Sequence, residues 1–163
     1  MSVNRYLPHV LALPEDDANR QLANGFLLDQ YVSTHKIQVL PEVGGWTQVL
    51  ELFLSDHVVE MDRYRGRFMV LLIDFDGRKE RLPDAKARIP EHLTDRVFIL
   101  GAWSEPEALK KASLGSYETI GLAMAQDCRE ETNTTWGHDL LRHNASEIDR
   151  LRELVRPILF EYI

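Results

Sequence analysis

The chain has 163 residues, a formal net charge of −7 and a hydrophobic fraction of 44%. That length suits one domain, and the apolar content is far from the disordered range. The acidic balance argues against a free-standing nucleic-acid binder, whose affinity rests on phosphate contacts. One cysteine, Cys128, excludes an internal disulfide and fits a reducing cytoplasm. The N-terminus lacks the apolar core of a signal peptide, and no apolar run approaches the roughly 20 residues that span a bilayer. A cytoplasmic protein with no membrane partner is the expectation.

Strand and helix patterns alternate along the chain. A short apolar run at 9–14 reads as a buried strand, followed by Glu15, Asp16 and Asp17 and a helical stretch at 18–28 with Leu22 and Phe26 on one face. A second strand is expected at 36–40. Thr47 is placed to cap a helix over 48–57 that can continue to Met61, with Val49, Leu52 and Phe53 on one face. A turn at 64–67 leads into the longest apolar strand, 68–73. Residues 77–95 are polar, hold Pro83 and Pro90, and read as a loop with a short helix; long loops of this kind are often functional. A fourth strand is expected at 96–101. Ser104 and Glu107 then have the spacing of a capping box for a helix through Lys111, and a longer helix follows at 117–129. The last helix, 147–160, carries Ile148, Leu151, Leu154, Val155 and Ile158 as an apolar stripe, with Pro157 expected to kink or end it. This order predicts an α/β fold: a mostly parallel four-stranded sheet flanked by helices as a three-layer sandwich, with a C-terminal helical extension. The expected organisation is one domain over 1–163, a core at 7–112 and helices at 113–163.

The acids sit where such a fold keeps its chemistry. The strand at 68–73 runs directly into Asp74-Phe75-Asp76-Gly77. Residues i and i+2 of a strand share a face, so Asp74 and Asp76 can converge. Their mutual repulsion would be relieved by a hard cation such as Mg²⁺, which takes oxygen ligands. A polar turn at the strand exit is the structural alternative. Asp16 and Asp17 suit a helix N-terminus, where they face the positive end of the dipole. Glu15 lies at the strand tip before that helix. Ligand crevices of parallel sheets lie at the carboxyl ends of the strands. If the strands at 9–14 and 68–73 are neighbours, Glu15 faces Asp74 and Asp76 across that crevice.

An acid closing the first strand and an Asp-x-Asp closing a later parallel strand resemble the Toprim domain, shared by topoisomerases, bacterial-type primases, recombination-repair proteins and the overcoming-lysogenisation-defect nucleases. The resemblance covers roughly 7–112. It implies Mg²⁺ or Mn²⁺ held by Asp74 and Asp76, with Glu15 in metal contact or proton transfer. Nuclease-type members place a further acid after the next strand, which points to Glu105. The chain departs from the family pattern in one respect: Glu15 lies between Pro14 and Asp16, without the usual neighbouring glycine. The function so implied is metal-dependent nucleic-acid phosphodiester chemistry, most simply a DNA nuclease in a defence or repair setting. It would work with a protein partner or as a homo-oligomer, with Arg78, Lys79 and Arg81 as phosphate contacts. Those cations read equally well as a solvated charged loop.

A receiver-like module is the principal rival. The stretch around Asp16, Asp17 and Arg20 resembles the start of a phosphorelay receiver, with Asp74 as the phosphoacceptor. Gly101, Ala102 and Trp103 follow the fourth strand without the lysine that receivers place after their last one. A catalytically inactive interaction module is the third possibility. Elsewhere, Asp139 and His143 have the spacing of a helical pair. His138 and His143 are five apart, not the four that puts two ligands on one helical face, so a structural or capping role is expected for them. Cys128 reads as a helix-face residue with no adjacent base. Trp46 and Trp103 flank the acidic edge and are expected to pack at its rim. The apolar end, Leu159 and Phe160 with Tyr162 and Ile163, is expected either to dock on its own domain or to meet another chain.

Overall fold

The computed structural model describes residues 3–112 and 114–161. The chain builds a four-stranded sheet in the order β2-β1-β3-β4 from β1 (His9–Pro14), β2 (Ile37–Val39), β3 (Arg67–Leu72) and β4 (Val97–Leu100). Every pairing is parallel, with Val10 opposite Ile37, Ala12 opposite Val70 and Leu71 opposite Ile99. β1 and β3 are buried along most of their length because helices cover both faces.

The pleat divides the apolar residues between two cores. Val10, Val70, Phe98 and Leu100 point to one face. There they meet α1 (Asp17–Phe26), α6 (Tyr117–Glu130), α7 (Ala145–Leu154) and α8 (Arg156–Leu159). Leu11, Leu13, Met69, Leu71, Val97 and Ile99 point to the other face. They pack on α2 (Trp46–Leu52), α3 (Val58–Arg63) and α4 (Arg81–Ala87). Right-handed crossovers explain the division: the chain moves one way from β1 to β2 and the other way from β2 to β3 and β4, so the connections fall on opposite faces. The α1–α6 contact is close. A Cβ on Gly121 would lie 2.0 Å from the Leu22 carbonyl oxygen, so only glycine permits this approach.

Several boundaries differ from the sequence expectation. α2 begins at Trp46 with Gly45 as its cap, ahead of Thr47, and it continues through a π turn (Phe53–His57) into α3. The helix expected from Ser104 is α5 (Pro106–Lys111), capped by Glu105 without a side-chain cap bond. Proline explains the shift. Pro106 has no N–H to lose and a φ suited to the first turn, and it pushes the preceding residue into extended backbone. The last helix divides at Val155, with Pro157 in the first turn of α8.

The C-terminal stripe docks on its own domain. Ile148, Leu151, Val155, Leu159 and Phe160 are buried, Ile158 is half-buried and Leu154 is 37% exposed. Tyr162 and Ile163 lie outside the described residues. The extension also satisfies the outer edge of β4. Ile99 N–H donates to Glu147 Oε2 at 2.9 Å, and Gly101 N–H donates to Asn144 Oδ1 at 3.2 Å. The fully buried Glu147 is balanced by Lys86 at 2.5 Å and Arg150 at 2.9 Å. An uncovered edge strand invites pairing with another chain, and these side chains occupy its donors.

Candidate active site

β1 and β3 are neighbours, and the chain reverses its direction across the sheet between them. The crevice beyond their carboxyl ends is therefore the switch point where open parallel sheets bind ligands. Glu15 follows β1 there. Its Oε2 accepts the Asp74 N–H at 2.6 Å. Asp16 caps α1, accepting the Asn19 N–H at 2.9 Å. The Asn19 side-chain amide bridges the two segments, donating to Asp16 Oδ1 and Asp74 Oδ1 at 3.0 Å each. Asp17, in the first turn of α1, faces outward and pairs with Arg20. The helix-terminus reading suits Asp16 and Asp17, while Glu15 reaches across the crevice.

Asp76 sits beyond Asp74 in a turn stitched to the exit of β4. Phe75 N–H donates to the Ala102 carbonyl at 3.1 Å, Asp76 N–H to Ser104 at 3.1 Å and Gly77 N–H to Trp103 at 2.7 Å. Asp76 and Gly77 have φ of 51° and 68°, so the turn depends on two consecutive left-handed residues. Aspartate and glycine are among the residues that adopt this conformation most readily. Glu105 is exposed on the neighbouring segment, at the rim of the crevice.

Arg81, expected as a phosphate contact, turns inward instead and pairs with the acids. It is 6% exposed, unlike Arg78 and Lys79, which face solvent. One terminal nitrogen donates to the Asp74 carbonyl at 2.6 Å and to Asp76 Oδ2 at 3.0 Å. Its guanidinium carbon lies 4.2 Å from the Trp46 ring centroid, a cation–π geometry. Arg81 is thus an internal partner of the acids, and Arg78 and Lys79 are the cations of this loop open to a ligand. Its place in the loop shortly after Asp76 was visible in the sequence; the start of α4 at Arg81 and its inward direction were not.

The electrostatics follow from desolvation. Burial pushes the Asp74 carboxyl up to about 8; the Asn19 hydrogen bond opposes the rise, and the charges of Glu15, Asp16 and Asp76 add to it. Burial also raises Glu15, against the hydrogen bond from Asp74 N–H and with a further push from Asp16 and Asp76. Carboxyl oxygens are the ligands Mg²⁺ prefers, and carboxylates destabilised by one another are what a cation relieves, so the donor chemistry fits that ion. Among the described residues no three His, Cys, Asp or Glu side chains already stand at a common ligand point. Asp76 is held by Arg81, and Glu15 by a backbone amide. Loading a cation would require Asp76 to leave Arg81.

The remaining candidates are structural. His143 Nε2 lies 2.7 Å from the Gly101 carbonyl, and its ring meets Phe75 edge-on at 4.7 Å. Asp139 pairs with Arg142 at 3.2 Å, not with His143. Trp103 packs beside His143 at 5.4 Å. Cys128 is buried, and burial pushes its thiol up to about 11, which leaves it protonated near neutral pH. Among the described residues no helix is long and apolar enough to cross a membrane.

No family model matches the chain, and no curated protein or solved structure was found to match it.

Proposed function

We propose that this chain is a Toprim-like, Mg²⁺-dependent enzyme of nucleic-acid phosphodiester chemistry, most simply a DNA nuclease. The observation that supports it is the meeting of Glu15, Asp16, Asp74 and Asp76 at the switch-point crevice, with Asp74 and Glu15 raised in pKa by burial and by their neighbours. When bound, Mg²⁺ or Mn²⁺ would fix the scissile phosphate and lower the pKa of a water. Asp74 and Asp76 supply the oxygen ligands, and Asn19 orients Asp74. Glu15, half-buried with its carboxyl raised by that burial and facing Asp74 across the crevice, is the group suited to proton transfer. Arg78 and Lys79 reach the flanking phosphates, and Glu105 closes the rim. The overall charge of −7 repels a polyanion, so the enzyme works with a basic protein partner or as an oligomer.

The test is cleavage of plasmid and single-stranded DNA with Mg²⁺ or Mn²⁺, alone and with neighbouring-gene products. Asp74→Ala and Asp76→Asn should each lower the rate at least 100-fold, an effect on the order of 3 kcal/mol. Undiminished cutting by Asp74→Ala would sink the proposal.

Two observations favour a second reading, a receiver-like or inactive interaction module. The sheet order β2-β1-β3-β4 equals the first four positions of the flavodoxin-like order, and Arg81 already serves as a cation for Asp76. Acetyl phosphate would then modify Asp74. Mn²⁺ binding lost in both Glu15→Ala and Asp76→Ala would exclude the inactive module.

A further inference from the structure

The amino end of the same sheet carries a second charged cluster, and its buried members are bases. β3 opens on Arg67, which is 6% exposed. Its Nε donates to His9 Nε2 at 3.0 Å, while His9 Nδ1 lies 2.7 Å from the Leu7 carbonyl. His9 is therefore neutral and protonated at Nδ1, because each ring nitrogen has a fixed role. Arg67 also lies against the Tyr64 ring, 5.2 Å from its centroid. Glu60, on the same wall, is the carboxylate whose charge acts on Arg67, but among the described residues the two form no direct salt bridge, the closer pairing a guanidinium this buried ordinarily has.

Arg67 lines a cavity of about 310 Å³ together with Arg5, Gln38, Asp56, His57 and Glu60. That volume is near the lower bound of small-ligand pockets, roughly 300 Å³. The π turn of Phe53–His57 brings Asp56 and His57 to this wall; such turns inside helices occur frequently at functional sites. Burial lowers the pKa of His57, and the Arg67 charge adds to the shift. At the mouth, Arg5 lies 5.8 Å from the Tyr64 ring centroid. Tyr6 meets Tyr64 edge-on at 5.7 Å and is itself 87% exposed, leaving a free aromatic face.

We propose that this cavity is a binding site for the phosphate group of a nucleotide, with Arg67 and Arg5 as its donors and Tyr6 as a stacking face for the base. Arginine suits the role because its planar fork matches phosphate oxygens, and exposed aromatic rings accept bases of any sequence. Asp56 and Glu60, on the same wall, offer acceptors to a sugar hydroxyl. Glu60 is partly neutralised by Arg63 at 3.9 Å. The site lies at the opposite end of the strands from Asp74 and does not depend on the chemistry proposed there.

Calorimetric titration and thermal melting of the full chain test it, with inorganic phosphate, AMP and a short 5′-phosphorylated oligonucleotide as probes. Saturable binding is expected, tighter for AMP than for phosphate, with a raised melting temperature. Arg5→Ala should weaken AMP at least fivefold and leave the ligand-free melt unchanged, because Arg5 is on the surface. Arg67→Lys should weaken it at least tenfold. Tighter binding of the oligonucleotide than of AMP identifies a nucleic-acid end as the source of the phosphate; the reverse identifies a free nucleotide. Absence of saturable binding with all three probes overturns the proposal. So does binding that Arg5→Ala leaves intact, or that Lys79→Ala abolishes, since Lys79 lies at the acidic end.

Discussion

At the carboxyl end of the sheet Glu15 and Asp74 are acids held partly out of water, and at the amino end Arg67 and His9 are bases held out of water. Burial is the leading cause at both ends, and it acts in opposite directions. It raises the acids and lowers the bases, because in each case the charged form loses hydration. The ends differ in how that cost is met. The acidic end has an internal cation, Arg81, that reaches Asp76. The basic end has neutral His9 and the Tyr64 ring against Arg67. One strand, β3, begins at one cluster and ends at the other, so the sheet separates two anion-and-cation problems that would cancel if they were adjacent.

The contrast can be broken most strongly at Asp74. Its folded pKa of about 8 stands above the ordinary carboxylate value. Between those values the folded state binds more protons than the unfolded one, so stability is full at acid pH and falls as pH rises toward 8. The slope is at most about 1.4 kcal/mol per pH unit. Asp74→Asn should remove most of that slope and melt higher than the parent at pH 8. Mg²⁺ should flatten the parent's slope as well, because a bound cation favours the ionised form. Melting curves from pH 5 to 8, with and without Mg²⁺, measure both effects; a parent as flat as the variant would contradict the account.

Arg81→Gln sharpens the comparison by making the acidic end as poorly paired as the basic one. Losing its bonds to Asp76 and to the Asp74 carbonyl should cost about 1.5–3 kcal/mol in metal-free buffer. Mg²⁺ should then recover more stability in the variant than it adds to the parent, since Asp76 is no longer held. Equal responses in the two proteins would mean that Arg81 does not compete with a cation.

Arg67→Met tests the basic end and has the smallest expected effect. Removing a buried charge with no direct salt bridge is offset by leaving the buried His9 Nε2 without its donor, so the net change in phosphate-free buffer should stay within about 1 kcal/mol. Denaturant unfolding decides the sign. A clear loss of stability would show that Arg67 earns its place through packing on Tyr64 and His9.

Much of the acidic end was legible because it depends on local pattern. The apolar runs at 9–14 and 68–73 predict strands buried on both faces, and parallel sheets keep their crevices at strand carboxyl ends, so Glu15, Asp74 and Asp76 could be placed before any contact was known. The caps were less legible. Ser104 and Thr47 have suitable side chains, but Pro106 fixed one helix start and α2 began ahead of Thr47. The outward placement of Asp139 and the inward one of His143 also escaped, because the spacing of a pair does not reveal which side chain meets the sheet.

The sequence by itself determined the α/β class, the parallel strands and the acids at their ends, since strand runs and the residues that follow them are contiguous in the chain. Only the tertiary structure decided the strand order, the inward turn of Arg81, the cover that Glu147 and Asn144 give to β4, and the cavity that joins Arg5, His57 and Arg67. Most of these bring together residues far apart in sequence, and hydrophobic periodicity specifies which face a residue occupies without specifying what it meets there.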